Sequence, residues 1–153
     1  MISILDQEFS ALNQYIAEQN PSQIFILVDE NTHENCLPTL LANLETEIPF
    51  EIIEIEAGED AKTIATATQL WEILAEFKAD RKSLLLNLGG GVITDMGGFV
   101  ASTYKRGIKF LNIPTTLLAM CDASIGGKTG IDHQYLKNIV GTFANSEHIL
   151  VYP

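Results

Sequence analysis

Ser83-Leu84-Leu85-Leu86-Asn87-Leu88-Gly89-Gly90-Gly91-Val92-Ile93-Thr94-Asp95-Met96-Gly97-Gly98-Phe99-Val100 passes from one apolar stretch through three consecutive glycines into another. Residues 83–88 read as a buried strand, the glycines as a turn without side chains, and residues 95–105 as a helix. A strand, a bare turn and a helix start in that order suit a phosphate. Glycines let the backbone approach it closely, and the free N–H groups and positive dipole end of the helix favour its charge. A tight turn with no ligand fits the same residues. The spacing is not Gly-x-Gly-x-x-Gly, because position 94 is threonine.

Outward from this unit, helical and extended patterns alternate. Ile4, Leu5, Phe9, Leu12, Tyr15 and Ile16 recur at helical spacing up to Asn20-Pro21, and Gln23–Val28 is a short run of strand formers. Residues 34–46 read as a helix, 49–56 as a strand and 61–79 as a helix. After the glycine unit, 109–113 read as a strand and 115–123 as a short helix, while 148–153 read as a strand with nothing behind it. Strands alternating with helices predict an α/β domain with a mainly parallel sheet and helices on both faces. No repeat, low-complexity stretch or linker divides the 153 residues, so one domain is expected.

Charge separates the chain into two unlike halves. Residues 1–80 carry sixteen carboxylates against Lys62 and Lys78, a net of −14. Residues 81–153 carry seven bases against four acids, a net of +3, and the whole chain stands at −11. An overall negative charge opposes broad attraction to nucleic acid or anionic lipid, and an anionic ligand is expected on the second half. No apolar run approaches the roughly 18 residues of a membrane span, and the first residues lack the basic region of a signal peptide, so a cytoplasmic protein is expected. Cys36 and Cys121 form no Cys-x-x-Cys pair and read as buried free thiols, and His33, His133 and His148 are scattered, so no metal site is expected within the chain.

Three further stretches hold candidate chemistry. Asp29 ends the first predicted strand, where a carboxylate accepts ribose hydroxyls or, equally, caps a helix. Gly58-Glu59-Asp60-Ala61-Lys62 is a ligand contact or a solvated turn. Asp122-Ala-Ser-Ile-Gly-Gly-Lys128-Thr129 ends like a P-loop, but that motif requires glycine at 122. What remains is a lysine on a glycine-rich loop, with Lys137 and Asn138 following. Lysine grips phosphate as a point charge, and asparagine both donates to and accepts from hydroxyls.

Taken together, Gly89–Gly107, Ile113-Pro-Thr-Thr-Leu-Leu-Ala119, Asp122–Asp132 and Leu136-Lys-Asn-Ile-Val-Gly-Thr-Phe143 resemble the 3-dehydroquinate synthase family, one of the sugar phosphate cyclases. The similarity is to the amino-terminal NAD-binding half and runs from about the first strand to the end of the chain. It implies a Rossmann-like fold. It also implies that Asp29, Asn31 and His33 border the adenosine end of NAD, with Glu59 and Lys62 beside them. Gly90, Gly91, Val92 and Asp95 would hold the pyrophosphate and its surroundings, and Thr115, Thr116 and Leu118 the nicotinamide side. Asp122, Lys128, Lys137 and Asn138 match positions contacting cofactor and substrate, and Arg106 matches an arginine that reaches the substrate phosphate from the partner subunit of a homodimer.

The family's reaction converts 3-deoxy-arabino-heptulosonate 7-phosphate into 3-dehydroquinate and phosphate. It is a lyase step of the shikimate pathway, on the route to aromatic amino acids. The implied cofactors are NAD and a divalent metal, zinc or cobalt. The metal's ligands, a glutamate and two histidines, belong to a helical carboxyl-terminal domain beyond residue 153. A related cyclase acting on another sugar phosphate, or a stand-alone NAD-binding module without catalysis, are the alternatives. Because positioning and charge stabilisation supply much of such a rate, residues 1–153 alone are expected to release no phosphate from the heptulosonate phosphate with NAD and zinc present. Release within about a hundredfold of the full-length enzyme would overturn that expectation.

Overall fold

The computed structural model describes residues 2–4, 9–116, 128–133, 136–143 and 148–151. In chain order these form β1 (Ile2–Ile4), α1 (Ser10–Gln19), β2 (Ile24–Asp29), α2 (Glu30–Asn35), α3 (Leu37–Asn43), β3 (Phe50–Ile55), α4 (Ile64–Glu76), β4 (Leu84–Gly89), α5 (Gly91–Thr103), β5 (Lys109–Pro114), β6 (Lys128–His133), β7 (Leu136–Phe143) and β8 (His148–Val151). Two short 3-10 turns, Glu59–Ala61 and Tyr104–Arg106, precede α4 and follow α5. Six strands make one sheet in the order β1-β8-β5-β4-β2-β3, with every neighbouring pair parallel. β6 and β7 form a separate antiparallel hairpin beside α5.

Alternate side chains of the central strands feed two cores. Phe25, Leu27, Leu85 and Phe110 point to the face covered by α4 and α5, where Leu70, Leu74, Ile93 and Met96 meet them. Ile24, Ile26, Leu86 and Leu111 point to the other face, against Leu12 and Ile16 of α1 and Leu40 of α3. A strand covered on both sides reads as a continuous apolar run, which is why β2 and β4 lack alternation. Each buried Leu, Ile or Phe contributes about 1.5–3 kcal/mol relative to exposure. The α/β, Rossmann-like parallel sheet with helices on both faces is thus borne out.

Local boundaries differ from expectation in four places. Ile4 belongs to β1 rather than to the first helix, because its partner strand β8 lies some 145 residues away and no local window contains it. Residues 34–46 are not one helix. Asp29 starts α2 by accepting from the Thr32 N–H at 2.8 Å, and α3 restarts at Leu37 with Pro38 in its first turn. α4 is shorter than 61–79, beginning after the Thr63 cap and ending before Lys78, whose φ is 58°. α5 begins at Gly91, four residues earlier than expected, directly from the glycine turn. The strand expected at 148–153 is present as β8, inserted between β1 and β5. The expected helix at 115–123 lies outside the described residues beyond Thr116. Cys36 is only part-buried, lifted above its usual pKa by desolvation and then by Asp29, and Cys121 lies outside the described residues.

α5 rests on β4 where Gly97 closely approaches the Asn87 side chain. Asn87 is fully buried and donates from Nδ2 to Asn112 Oδ1 on β5 at 3.0 Å. A Cβ on Gly97 would stand 1.8 Å from Asn87 Oδ1 and 2.4 Å from its Cγ, so the helix approaches this closely only without a side chain there. Gly97→Ala is expected to cost about 2–3 kcal/mol by urea unfolding, as overpacking of a filled core does. Gly91→Ala, whose Cβ meets no described atom within 4 Å, is the neutral control. Equal stability of the two variants would refute this packing.

Candidate functional site

The chain leaves β2 for β3 at the sheet edge, then crosses back to β4 on the other side of β2. That reversal opens a crevice between the carboxyl ends of β2 and β4, where open parallel sheets bind their ligands. Asp29 stands at the end of β2, and Gly89-Gly90-Gly91 at the end of β4. Glu59 and Lys62 follow β3, and Thr115 and Thr116 follow β5, with the Thr115 N–H donating to Gly89 O at 3.0 Å. The parallel sheet therefore gathers these side chains on one end although they span almost ninety positions of sequence.

Like α1 and α3, α5 lacks a side-chain cap at its amino terminus. α2 is capped by Asp29 and α4 by Thr63, whereas Gly90, the residue before α5, supplies no side-chain cap. The first backbone N–H groups of a helix have no intrahelical partner, and a Cβ on Gly91 would meet no described atom within 4 Å. Gly90 lies against Thr116, 3.3 Å from its Cγ2 to an added Cβ. Val92, the second residue of α5, is half-buried at this rim. An uncapped helix end with room above it accepts an anion.

Lys62 is the second feature. It is 3% exposed, and its Nζ donates to Asp95 Oδ2 at 2.8 Å, with Glu59 Oε1 at 3.7 Å. Burying an ammonium is costly unless it is paired, and the two carboxylates provide the pairing. The bond ties the turn after β3 to the second turn of α5. Nothing in the 33-residue separation of Lys62 and Asp95 signals the pair. Asn87 and Asn112 were also missed as a partnership, although an asparagine inside Leu-Leu-Leu-Asn-Leu is itself a visible anomaly.

Asp29 satisfies both of its sequence readings in part. Oδ1 caps α2, taking the Thr32 N–H, and Oδ2 makes no hydrogen bond among the described residues. Asn31 is exposed in the first turn of α2, and His33 Nδ1 lies 2.6 Å from Glu54 Oε1 of β3, both half-exposed. A cavity of about 180 Å³ opens beside them, lined by Asn35, Cys36, Thr39, Leu88, Ile113 and Thr115 among others. Leu118 and Asp122 lie outside the described residues. Lys128 opens β6 opposite Phe143, while Lys137 and Asn138 follow Leu136, which pairs with His133. Lys128 and Lys137 therefore sit toward opposite ends of the hairpin, roughly 13 Å apart along the strands. Arg106 is not at this end of the sheet: the 13 residues of α5 carry the chain about 20 Å away from the glycine turn before reaching it.

Comparison with known proteins bears on the same residues. The profile of the 3-dehydroquinate synthase N-terminal region matches residues 52–153. The chain belongs to the 3-dehydroquinate synthase family. It is 47% identical over 134 residues to the 3-dehydroquinate synthase of Parabacteroides distasonis, an alignment covering 88% of this chain and 38% of the relative. With the Pyrococcus abyssi enzyme of the same name it shares 44% over 151 residues, 99% of this chain and 45% of the relative. The chain thus spans less than half the length of these family members. Among solved structures it superposes on 2-epi-5-epi-valiolone synthase from Streptomyces hygroscopicus, with NAD+ and Zn2+ bound, at 31% identity and a TM-score of 0.86, covering 100% of this chain and 42% of that one. It also shares the fold of 2-deoxy-scyllo-inosose synthase, at 23% identity and a TM-score of 0.85, over 98% of this chain and 42% of that one.

Asp95→Asn is expected to destabilise the protein by about 2–3 kcal/mol in urea unfolding. That is less than the roughly 3–5 kcal/mol of a fully orphaned buried charge, because Glu59 remains within reach. Lys62→Met combined with Asp95→Asn should recover part of the loss. A double variant as unstable as the two single losses added together would show that the pair is not coupled.

Proposed function

We propose that residues 1–153 are the NAD-gripping half of a 3-dehydroquinate synthase, acting on 3-deoxy-arabino-heptulosonate 7-phosphate. The observation that carries this is the uncapped, glycine-walled start of α5 at the crevice between β2 and β4, with the spare Asp29 oxygen beside it. Kinship supports this enzyme over another cyclase, since identity to the named synthases exceeds that to the valiolone synthase.

The N–H groups at Gly91 and Val92 receive the pyrophosphate, which Gly90 and Gly91 allow to approach the backbone. Asp29 Oδ2 accepts from the adenosine ribose, with Asn31 and His33 bordering it. Asp95 and Glu59 hold the Lys62 ammonium beside the phosphates, and Thr115, Thr116 and Leu118 line the nicotinamide side. Bound NAD supplies a reversible hydride acceptor, whose oxidation of a ring alcohol acidifies the adjacent C–H so that phosphate can leave. Asp122, Lys128, Lys137 and Asn138 orient the sugar phosphate through charge and hydroxyl contacts. The described residues do not fit the zinc or cobalt ion of this chemistry, since no group of three or more His, Cys, Asp or Glu side chains comes together among them. We assign that metal to a helical domain outside residues 1–153.

Arg106 serves a second copy in this reading. It is exposed, forms no hydrogen bond or ion pair among the described residues, and stands about 20 Å from its own glycine turn. Arg81, Lys82, Lys105 and Lys109 share its end of the sheet with Glu18, Glu45, Glu47, Glu76 and Asp80, while Asp29, Glu30, Glu34, Glu59 and Asp60 crowd the cofactor end. A guanidinium with no partner among the described residues suits a homodimer in which this end of one subunit meets the substrate site of the other. No helix among the described residues is long and apolar enough to cross a membrane, in keeping with a cytoplasmic enzyme.

Gly91→Val separates this reading from a purely structural turn. Its Cβ meets no described atom within 4 Å, so the unfolding midpoint should stay within about 2 °C of wild type, a change of under roughly 1 kcal/mol. NAD affinity in the full-length protein should fall at least tenfold by calorimetry. Unchanged affinity would remove α5 from the cofactor site.

A further inference from the structure

The turn that carries Arg106 is held in a backbone conformation that its residues disfavour. Between α5 and β5 the chain runs through Lys105 at φ 47°, ψ 35°, Arg106 at φ 67° and Gly107 at φ 117°. For the lysine and the arginine, left-handed backbone brings Cβ against the carbonyl oxygen, and two such residues in succession persist only where their surroundings fix them. Gly107 alone of the three adopts its conformation without that penalty.

The surroundings here are specific. The Gly107 N–H donates to Tyr104 O at 2.7 Å, and the Ile108 N–H to Ala101 O at 2.8 Å. Trp71 Nε1 donates to Thr103 Oγ1 at 3.0 Å. Tyr104 is 8% exposed, and its hydroxyl donates to Ala79 O at 3.0 Å. Ala79 is fixed in turn, donating its N–H to Leu74 O at 2.9 Å. Next to it the Asp80 carboxylate accepts from Ser22 Oγ at 2.6 Å and from the Lys82 N–H at 2.9 Å. Burial, and then the Asp80 charge, raises the Tyr104 phenol above its usual pKa, so it stays a donor. Lys105 lies in the field of Asp80, whereas Arg106 has neither hydrogen bond nor ion pair among the described residues. A solubility charge needs none of this bracing. A guanidinium that must meet a phosphate gains from it, because immobilising the mount beforehand lowers the ordering cost of binding.

We propose that Tyr104 is the positioning residue for Arg106. Its hydroxyl on the Ala79 carbonyl braces the left-handed Lys105–Arg106 pair, and thereby aims the guanidinium at the sugar phosphate bound by a second copy. This rests on the reading that Arg106 takes the substrate phosphate.

The test uses the full-length protein with 3-deoxy-arabino-heptulosonate 7-phosphate, following phosphate release. Tyr104→Phe keeps the ring and loses the hydroxyl. It should raise KM for the sugar phosphate about three- to tenfold and leave the NAD Kd unchanged. Lys105→Val, which resists the left-handed region, should do the same, whereas Lys105→Asn, which tolerates it without the charge, should leave KM near wild type. In an Arg106→Ala background neither Tyr104→Phe nor Lys105→Val should raise KM further. Effects that multiply with Arg106→Ala would mark Tyr104 as merely structural, and no effect of Tyr104→Phe in the wild type would equally overturn the proposal. If Arg106→Ala alone left KM unchanged, the phosphate reading beneath it would fall, and the positioning role with it.

Discussion

The contact between Asn87 on β4 and the bare α-carbon of Gly97 on α5 governs much of what surrounds it. Because no side chain intervenes, α5 settles directly on the sheet, and its amino terminus is presented at the rim rather than tilted away. Asn87 also bonds Asn112 across to β5, so the strand under the glycine turn and the strand that delivers Thr115 and Thr116 are held in register by one buried amide pair. Buried amides of this kind stabilise a fold little compared with apolar groups, but misplacing them is costly, which favours a single arrangement. The uncapped helix start and the reach of Lys62 to Asp95 both depend on where α5 lies.

Charge is organised around the same helix. Its amino end stands among carboxylates, with one lysine buried between two of them, while its far end delivers Lys105 and Arg106 to the opposite end of the sheet. A helix of this length separates the two ends by about 20 Å, so the glycine turn and Arg106 stand at opposite ends of one element.

The parallel fold was legible because its central strands are covered on both faces and leave unbroken apolar runs such as Ile24–Val28 and Leu84–Leu86. The boundaries were less so. Ile4 shares helical spacing with Phe9 and Leu12, so the first strand is hidden in a helical pattern and only pairing with β8 reveals it. The break at Cys36 was hidden in a region of helical periodicity, although Pro38 marks it. Asp29 was legible as a cap or a ligand group, and the structure shows why neither excludes the other: the cap uses one carboxylate oxygen and leaves the second unbonded among the described residues.

The sequence by itself determined the class of fold, the family and the glycine turn, because apolar periodicity, the absence of side chains and motif order are local properties. Tertiary structure decided everything that required two distant segments to meet. The Lys62–Asp95 pair joins residues 33 positions apart, the Asn87–Asn112 pair joins two strands, and Tyr104 reaches Ala79 across 25 positions. Parallel strands must be joined by long crossovers, so the residues that line one end of such a sheet are always far apart in the chain. Their types can be read along the sequence, but which of them touch is settled only when the sheet is assembled.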